Sequence, residues 1–345
     1  MAESFKPSSQ MELFHRLARE TDVESFFHLA AEGIAALLHA DGAALIVREE
    51  PSLLRYRFFH GLPAPFKHLS IHAFSDRQGT AGAAVQTGRP VLAEDYATSV
   101  HAMPEFVKTG LKASLSTPVR SGDRILGVLA IAWFAQPYQP PDAAAWYLLE
   151  VIADFMGAAL HRSQMEQRIT YLAMHDPLTG AANRNLFFIR LEHAMELARR
   201  RERLMAVAVF DLDHFKMIND QLGHSLGDTL LREVRVRTQD LIRRCDTVAR
   251  LGGDEFALIL EDVRCYDEIQ AAMQRVRQGL RMRWGSELGQ VAVSISLGVT
   301  VFPLDEGSPQ DLLRDADAAM YEAKRAGGNA VSFFSHHMAR DRATL

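Results

Sequence analysis

Behind Thr21-Asp22-Val23-Glu24, the residues Val23, Phe27, Ala30, Ile34 and Leu37 recur at helical spacing and make one apolar face. The tetrapeptide reads as a capping box, with the Thr21 and Glu24 side chains serving free N–H groups of the first turn. Residues 1–20 are expected to form a helical lead ahead of it. β-like stretches follow at 43–48, 54–59, 114–119 and 125–134, and Ser121-Gly122-Asp123 predicts a hairpin between the last two. Glycines punctuate the middle, in Gln78-Gly79-Thr80-Ala81-Gly82-Ala83-Ala84-Val85 and again in Thr87-Gly88-Arg89-Pro90-Val91 before Asp95. This order of elements describes a small α/β/α unit over residues 21–160.

Pro137, Pro140 and Pro141 precede a helix predicted over 142–172. Leu149, Ile152, Met156 and Ala159 follow three-four spacing; Ser163 and Glu166 break that seam, and Ile169 and Leu172 resume it. Two readings fit: a helix packed on its own domain, or a parallel signalling helix joining two protomers. A second unit, over 173–336, opens at His175-Asp176-Pro177-Leu178-Thr179-Gly180, and 337–345 form a tail. A helix over 186–200 ends in Arg199-Arg200-Arg201, a solvated helix end rather than a nucleic-acid patch. Leu204 to Phe210 is almost continuously apolar, as in a buried central strand.

Composition narrows the classes. A chain of 345 residues is long enough for two packed domains. With a net charge of −5, nucleic acid and anionic membrane have no global electrostatic attraction to it. Two cysteines, Cys245 and Cys265, are too few for a disulfide scaffold or a structural zinc cage. The longest strongly apolar run, 125–135, is about half of what spans a bilayer, and the first residues lack the pattern of a secretory signal. The expectation is a cytoplasmic protein with no membrane and no nucleic-acid partner.

The apolar strand ends in Asp211-Leu212-Asp213-His214-Phe215-Lys216-Met217-Ile218-Asn219-Asp220. A carboxylate at a strand end suits a hard cation, and the helix after it offers free N–H groups and Lys216 to a phosphate. Downstream, Gly252-Gly253 between β-like runs reads as a two-residue hairpin turn needing positive φ, followed directly by Asp254 and Glu255. If this hairpin pairs beside the strand ending at Asp211, three carboxylates converge, which is unfavourable unless a divalent cation neutralises them.

Two family resemblances follow from these residues. Gly79-x-x-Gly82, Thr87-Gly88-Arg89-Pro90-Val91, Asp95 and Gly127-Val128-Leu129, in that order, resemble a GAF sensory domain. Gly252-Gly253-Asp254-Glu255-Phe256, with 211–216, Asn219-Asp220, Gly223-His224, Gly227-Asp228, Ser294-Ile295-Ser296-Leu297-Gly298-Val299, Asp317, Tyr321, Lys324 and Asn329, resembles the GGDEF family of diguanylate cyclases. The implied fold class is α+β: a GAF-like α/β/α sensor joined by a helix to a nucleotidyl-cyclase-like domain with a mostly antiparallel central sheet.

The second resemblance implies condensation of two GTP into cyclic di-GMP with release of pyrophosphate, by a homodimer. Asp211, Glu255 and the Leu212 carbonyl would hold Mg²⁺ or Mn²⁺, two per GTP site, with Asp254 near the metals and the reacting 3′-hydroxyl. Asn219 and Asp228 would read guanine, Phe215 would line the nucleotide stretch, and Lys216 and Lys324 would hold the β- and γ-phosphates. Arg243-x-x-Asp246, with five residues between it and Gly252, matches the family's inhibitory site for the product, with Arg275 as its secondary arm. One departure is Gly328, which stands where the family commonly has a phosphate-binding Arg; Arg325 lies nearby as a substitute. The alternative is a non-catalytic GTP or cyclic di-GMP receptor, which would have no need of the metal carboxylates. The sensor's ligand stays unknown: its seven histidines (His15, His28, His39, His60, His68, His72 and His101) are scattered, and with no cysteine there a thioether-linked bilin is excluded.

Overall fold

The computed structural model describes residues 7–69, 73–135, 137–286 and 289–334. His72, the tail and the first six residues of the lead lie outside them. In chain order the elements are α1 (Pro7–Arg19), α2 (Val23–Leu37), β1 (Gly42–Glu50), β2 (Leu53–His60), α3 (Ala64–Leu69), β3 (Phe74–Ser75), α4 (Gly79–Thr87), β4 (Val91–Ala93), α5 (Pro104–Lys108), β5 (Ala113–Ser121), β6 (Arg124–Trp133) and α6 (Ala143–Met174). They continue as α7 (Arg184–Arg201), β7 (Leu204–Leu212), α8 (Phe215–Leu222), α9 (His224–Leu241), β8 (Thr247–Gly252), β9 (Glu255–Val263), α10 (Tyr266–Gly279), β10 (Met282–Ser286), β11 (Gly289–Val293), β12 (Ile295–Phe302), α11 (Pro309–Arg325) and β13 (Val331–Phe333). Contacts divide the chain into two units, Met1–Gln167 and Arg168–Leu345.

The first unit is built on one antiparallel sheet in the order β3-β2-β1-β6-β5-β4. Side chains alternate across the pleat: Ala43 and Leu45 pack with α2 and α6, while Ala44 and Ile46 pack with α3, α4 and α5. The hairpin over 121–124 forms as expected, with Gly122 at φ 58° in its loop. The capping expectation fails by one residue. Asp22, not Thr21, is the N-cap of α2, and its carboxylate accepts from the Ser25 N–H at 2.8 Å. Asp and Thr are both good caps, and only the entry angle of the chain decides between neighbours.

Helix α6 opens on Asp142, whose carboxylate accepts from Ala145 N–H at 2.8 Å. Leu149, Ile152, Met156 and Ala159 are buried in the first unit's own core, so the seam read from the sequence is intradomain packing. By length and composition α6 includes a stretch apolar enough to cross a membrane, which run length alone does not reveal; eight of its residues are core residues here.

The second unit carries a five-stranded sheet in the order β13-β12-β7-β9-β8, antiparallel except for the β12–β13 pair. Central strand β7 buries Ala206, Ala208 and Phe210 toward α8, α9 and α10, and Met205, Val207 and Val209 toward α7 and α11. Helix α11 lies against β12 so closely that a Cβ at Gly298 would collide with the α11 backbone at Ala316 and Met320. That approach brings the C-terminal turn of α11 beside the end of β7.

Candidate active site

The site forms where β7 ends. Asp211 pairs with Glu255 of β9 on one side and Ser296 of β12 on the other. Directly opposed residues share a face of the pleat, so the Asp211 and Glu255 side chains both lie on the α7–α11 side. The β8–β9 turn differs from expectation by one residue: Gly252 still pairs with Glu255, and the loop is Gly253-Asp254. Gly253, at φ 53°, supplies the left-handed position. Arg250 pins this turn. It donates to the Gly253 carbonyl through Nε at 2.9 Å and through Nη2 at 2.6 Å. The same guanidinium pairs with Asp176 at 3.0 Å, tying the turn to the start of the domain. Asp176 also accepts from Thr179; these hydrogen bonds outweigh its burial and keep its carboxyl below the usual range.

The buried Asp211 carboxylate accepts from Lys324 Nζ of α11 at 2.6 Å. Asp254 lies close enough to feel it: burial first, then the charge of Asp211, push the Asp254 carboxyl up to about 6. The expected three-way convergence is not closed. Among the described residues no three Asp, Glu, His or Cys side chains stand together as a metal cage. Glu255 is exposed and borders a cleft of about 280 Å³ with Arg184, Phe188 and Leu313. The protein's donor set is therefore small: Asp211, its neighbour Asp254, Glu255 across the pair and the Leu212 carbonyl. That set fits Mg²⁺ or Mn²⁺, since Mg²⁺ is usually held by one or two carboxylates together with substrate phosphates.

Asp213, which the sequence pattern does not single out, is the hub of the site. It accepts from Ser294 Oγ at 2.6 Å, Ser296 Oγ at 2.7 Å and the Asn329 N–H at 2.9 Å. Arg277 holds the same turn through the Asn329 carbonyl at 3.0 Å. The sequence does carry a signal, a second carboxylate two residues after Asp211, but its partners are more than eighty residues away.

Helix α8 starts at His214 in the left-handed region (φ 60°) with no side-chain cap, leaving its first N–H groups for an anion. Phe215 is half-buried and Lys216 is exposed beside them. Asn219 carries a buried Oδ1 with no hydrogen-bond partner. That oxygen faces Gly227, where any Cβ would collide with it, and Asp228 follows on the exposed side of α9. A buried acceptor without a donor, next to a free carboxylate, suits the N–H edge of a purine. At the last turn, the Gly327, Gly328 and Asn329 N–H groups are all bonded within the protein. Arg325 is paired with Glu322 at 3.3 Å on the exposed face, so it does not replace the missing arginine in this arrangement.

The Arg243–Asp246 pair is arranged differently from a simple reading pair. Asp246 is buried and its carboxylate accepts from the Arg243 N–H at 2.8 Å and the Glu261 N–H at 3.1 Å, and burial raises its carboxyl above the usual range. The Arg243 guanidinium is exposed and faces Glu268 at 3.6 Å. Arg275 Nε donates to the Leu241 carbonyl at 2.8 Å, which places it on the same turn. Burial and then Asp246 raise the Cys245 thiol, so it stays protonated near neutral pH.

The profile described as "Diguanylate cyclase, GGDEF domain" matches residues 173–330, and that of the GAF domain matches residues 20–161. Together they account for most of the chain. Residues 173–330 form a GGDEF domain and residues 20–161 a GAF domain. Its GGDEF domain is similar to two proteins of Pseudomonas aeruginosa. One is the bifunctional diguanylate cyclase/cyclic di-GMP phosphodiesterase MucR, 40% identical over 190 residues, 55% of this chain and 27% of MucR. The other is the diguanylate cyclase TpbB, 41% identical over 164 residues, 46% of this chain and 36% of TpbB. The match thus spans about a third or less of these relatives' length. Among solved structures, the GGDEF domain of TpbB is 34% identical; the match covers 49% of this chain and 99% of that one, with a TM-score of 0.47.

One consequence of the crowding at the GGDEF turn is testable without substrate. The carboxyl of Asp254 titrates higher in the folded chain than the ordinary 3.8, so its ionisation costs stability progressively as pH rises from about 4, and in full above about 6. Asp254→Asn should therefore raise the melting temperature of metal-free protein at pH 7.5 and change it little at pH 4. An equal shift at both values would show that the Asp254 carboxyl does not titrate above its ordinary range.

Proposed function

We propose that this protein is a diguanylate cyclase that condenses two GTP into cyclic di-GMP. The observation that carries the reading is the placement of Asp211 at the end of β7, with Asp254 beside it and Glu255 paired with it from β9. In each of two steps, the 3′-oxygen of one GTP bonds to the α-phosphorus of the other, and the bond to pyrophosphate breaks. Asp211, Glu255 and the Leu212 carbonyl hold the divalent cations, whose chemistry is to offset charge on the transferring phosphoryl group. Asp254, with its raised carboxyl, is suited to take the proton of the 3′-hydroxyl. Asn219 and Asp228 accept from guanine N1–H and its 2-amino group, a pattern adenine lacks. Lys216 and the α8 N-terminus face the triphosphate. Each domain holds one GTP, so the active form is a homodimer, with the GAF unit controlling how its domains meet.

Incubating the purified protein with GTP and Mg²⁺ and separating the nucleotides tests this directly. Cyclic di-GMP with two pyrophosphates per product is the expected result. GTP left intact with any divalent metal would favour the receptor reading instead.

Product inhibition through Arg243, Asp246 and Arg275 is part of the same proposal. Asp246 also holds its own turn, so Arg243 is the clean probe. Arg243→Ala should leave the initial rate nearly unchanged and raise the cyclic di-GMP concentration at which synthesis stalls by about tenfold, the loss of one or two charge-assisted hydrogen bonds. An unchanged response to added product would remove Arg243 from the inhibitory site.

A further inference from the structure

We infer that Lys324 is the resident counter-ion of the cation site, so that it must leave Asp211 before a divalent cation can bind there. The inference rests on the cyclase reading only for the identity of the anion that receives the displaced ammonium.

Three observations carry it. Lys324 Nζ sits 2.6 Å from Asp211 Oδ2, and the Asp211 side chain is only 12% exposed, so an ammonium already holds one oxygen of the site's most buried carboxylate. Asp254 stands beside it, so the ammonium offsets two neighbouring acids. The turn after α11 offers no other positive group to the site. Position 328 is glycine, the N–H groups of 327–329 are bonded internally, and Arg325 is paired with Glu322.

A metal ligand that is already ion-paired binds its cation more weakly by the energy of the pair it must give up. Lys324 then has a flexible four-carbon stem and, as its nearest new partner, the substrate's triphosphate. The two events help each other: nucleotide stabilises the displaced lysine, which favours the cation, and the coupling is reciprocal. In this chain the lysine also carries the phosphate role that a Gly328 backbone cannot share. The arrangement keeps the empty site from collecting free metal and makes the site complete only with substrate present.

The test uses the full chain without nucleotide and titrates Mn²⁺, reading free Mn²⁺ by its paramagnetic resonance. Lys324→Met removes the counter-ion and should bind Mn²⁺ on the order of tenfold more tightly than the parent, within the range usual for coupled sites. Adding Asp211→Asn in that background should abolish the gain, and Lys324→Gln should reproduce it if the Met variant folds poorly. Mn²⁺ affinity equal to or weaker than the parent's in both lysine variants would overturn the inference. The result is independent of catalysis. Tighter Mn²⁺ binding with no cyclic di-GMP from the parent would sink the cyclase reading and keep the counter-ion. Active parent protein with unchanged Mn²⁺ affinity would do the reverse.

Discussion

Glu255→Gln is expected to lower cyclic di-GMP synthesis by roughly 10²–10³-fold or more while leaving the fold intact, the range seen when one electrostatic group aimed at a transition state is lost. The side chain is exposed at the first position of β9, so no core packing depends on it. Its backbone pairing with Asp211 and Gly252 is indifferent to the side chain. What changes is charge: the protein's donor set is small, and the amide removes one negative ligand from it. Cation affinity and stabilisation of the transferring phosphoryl group should fall together. Rates by chromatographic separation of nucleotides, alongside unchanged thermal unfolding, check this. A variant that retains a tenth of the parent rate would move the metal-binding role away from Glu255, leaving Asp211 and Asp254 as the acidic ligands.

Much of this site is legible in the amino-acid sequence because its residues sit at element boundaries. The apolar run 204–210 announces a buried strand, and the carboxylate that ends it has one place to be. The GGDEF motif is similarly anchored, since glycines ahead of a strand mark a turn. Pattern alone does not settle choices between adjacent equivalents. Asp22 and Thr21 both cap well, and the turn at 252–254 could close on either of two pairs of residues. Long-range partners are also invisible to it. Asp213 binds Ser294, Ser296 and Asn329, and Lys324 binds Asp211, across more than eighty residues of chain. Those contacts depend on how α11 packs over Gly298, which no local window contains. The most instructive case is α6, where the three-four spacing is real but describes two different faces. Leu149, Ile152, Met156 and Ala159 satisfy it by filling the first unit's core.

The face that spacing leaves over predicts the strongest effect of assembly. Offset from the core seam, Val151, Phe155, Ala158, Arg162, Met165, Ile169 and Leu172 repeat at four-three intervals along the same helix. Four of these are apolar side chains well exposed to solvent: Phe155 at 53%, Met165 at 42%, Ile169 at 66% and Leu172 at 38%. After Leu160 α6 buries no residue, so its last turns contribute nothing to either core. An apolar stripe at heptad spacing on an otherwise solvated helix is the pattern of a two-stranded coiled coil. We expect it to pair two chains in parallel, which would hold the two GTP-loaded domains at an effective concentration of about millimolar. Without that tether, each encounter of two domains carries the full entropic cost of association. Replacing Met165 and Ile169 together by Glu puts like charges across the seam and touches no buried residue. The double variant should be monomeric by light scattering at micromolar concentration, and its specific activity should fall at least tenfold there. It should recover as protein concentration rises, because the active site itself is intact. A double variant that stays dimeric, or that loses activity equally at every concentration, would show that the domains meet through another surface and that α6 beyond Leu160 is only a spacer.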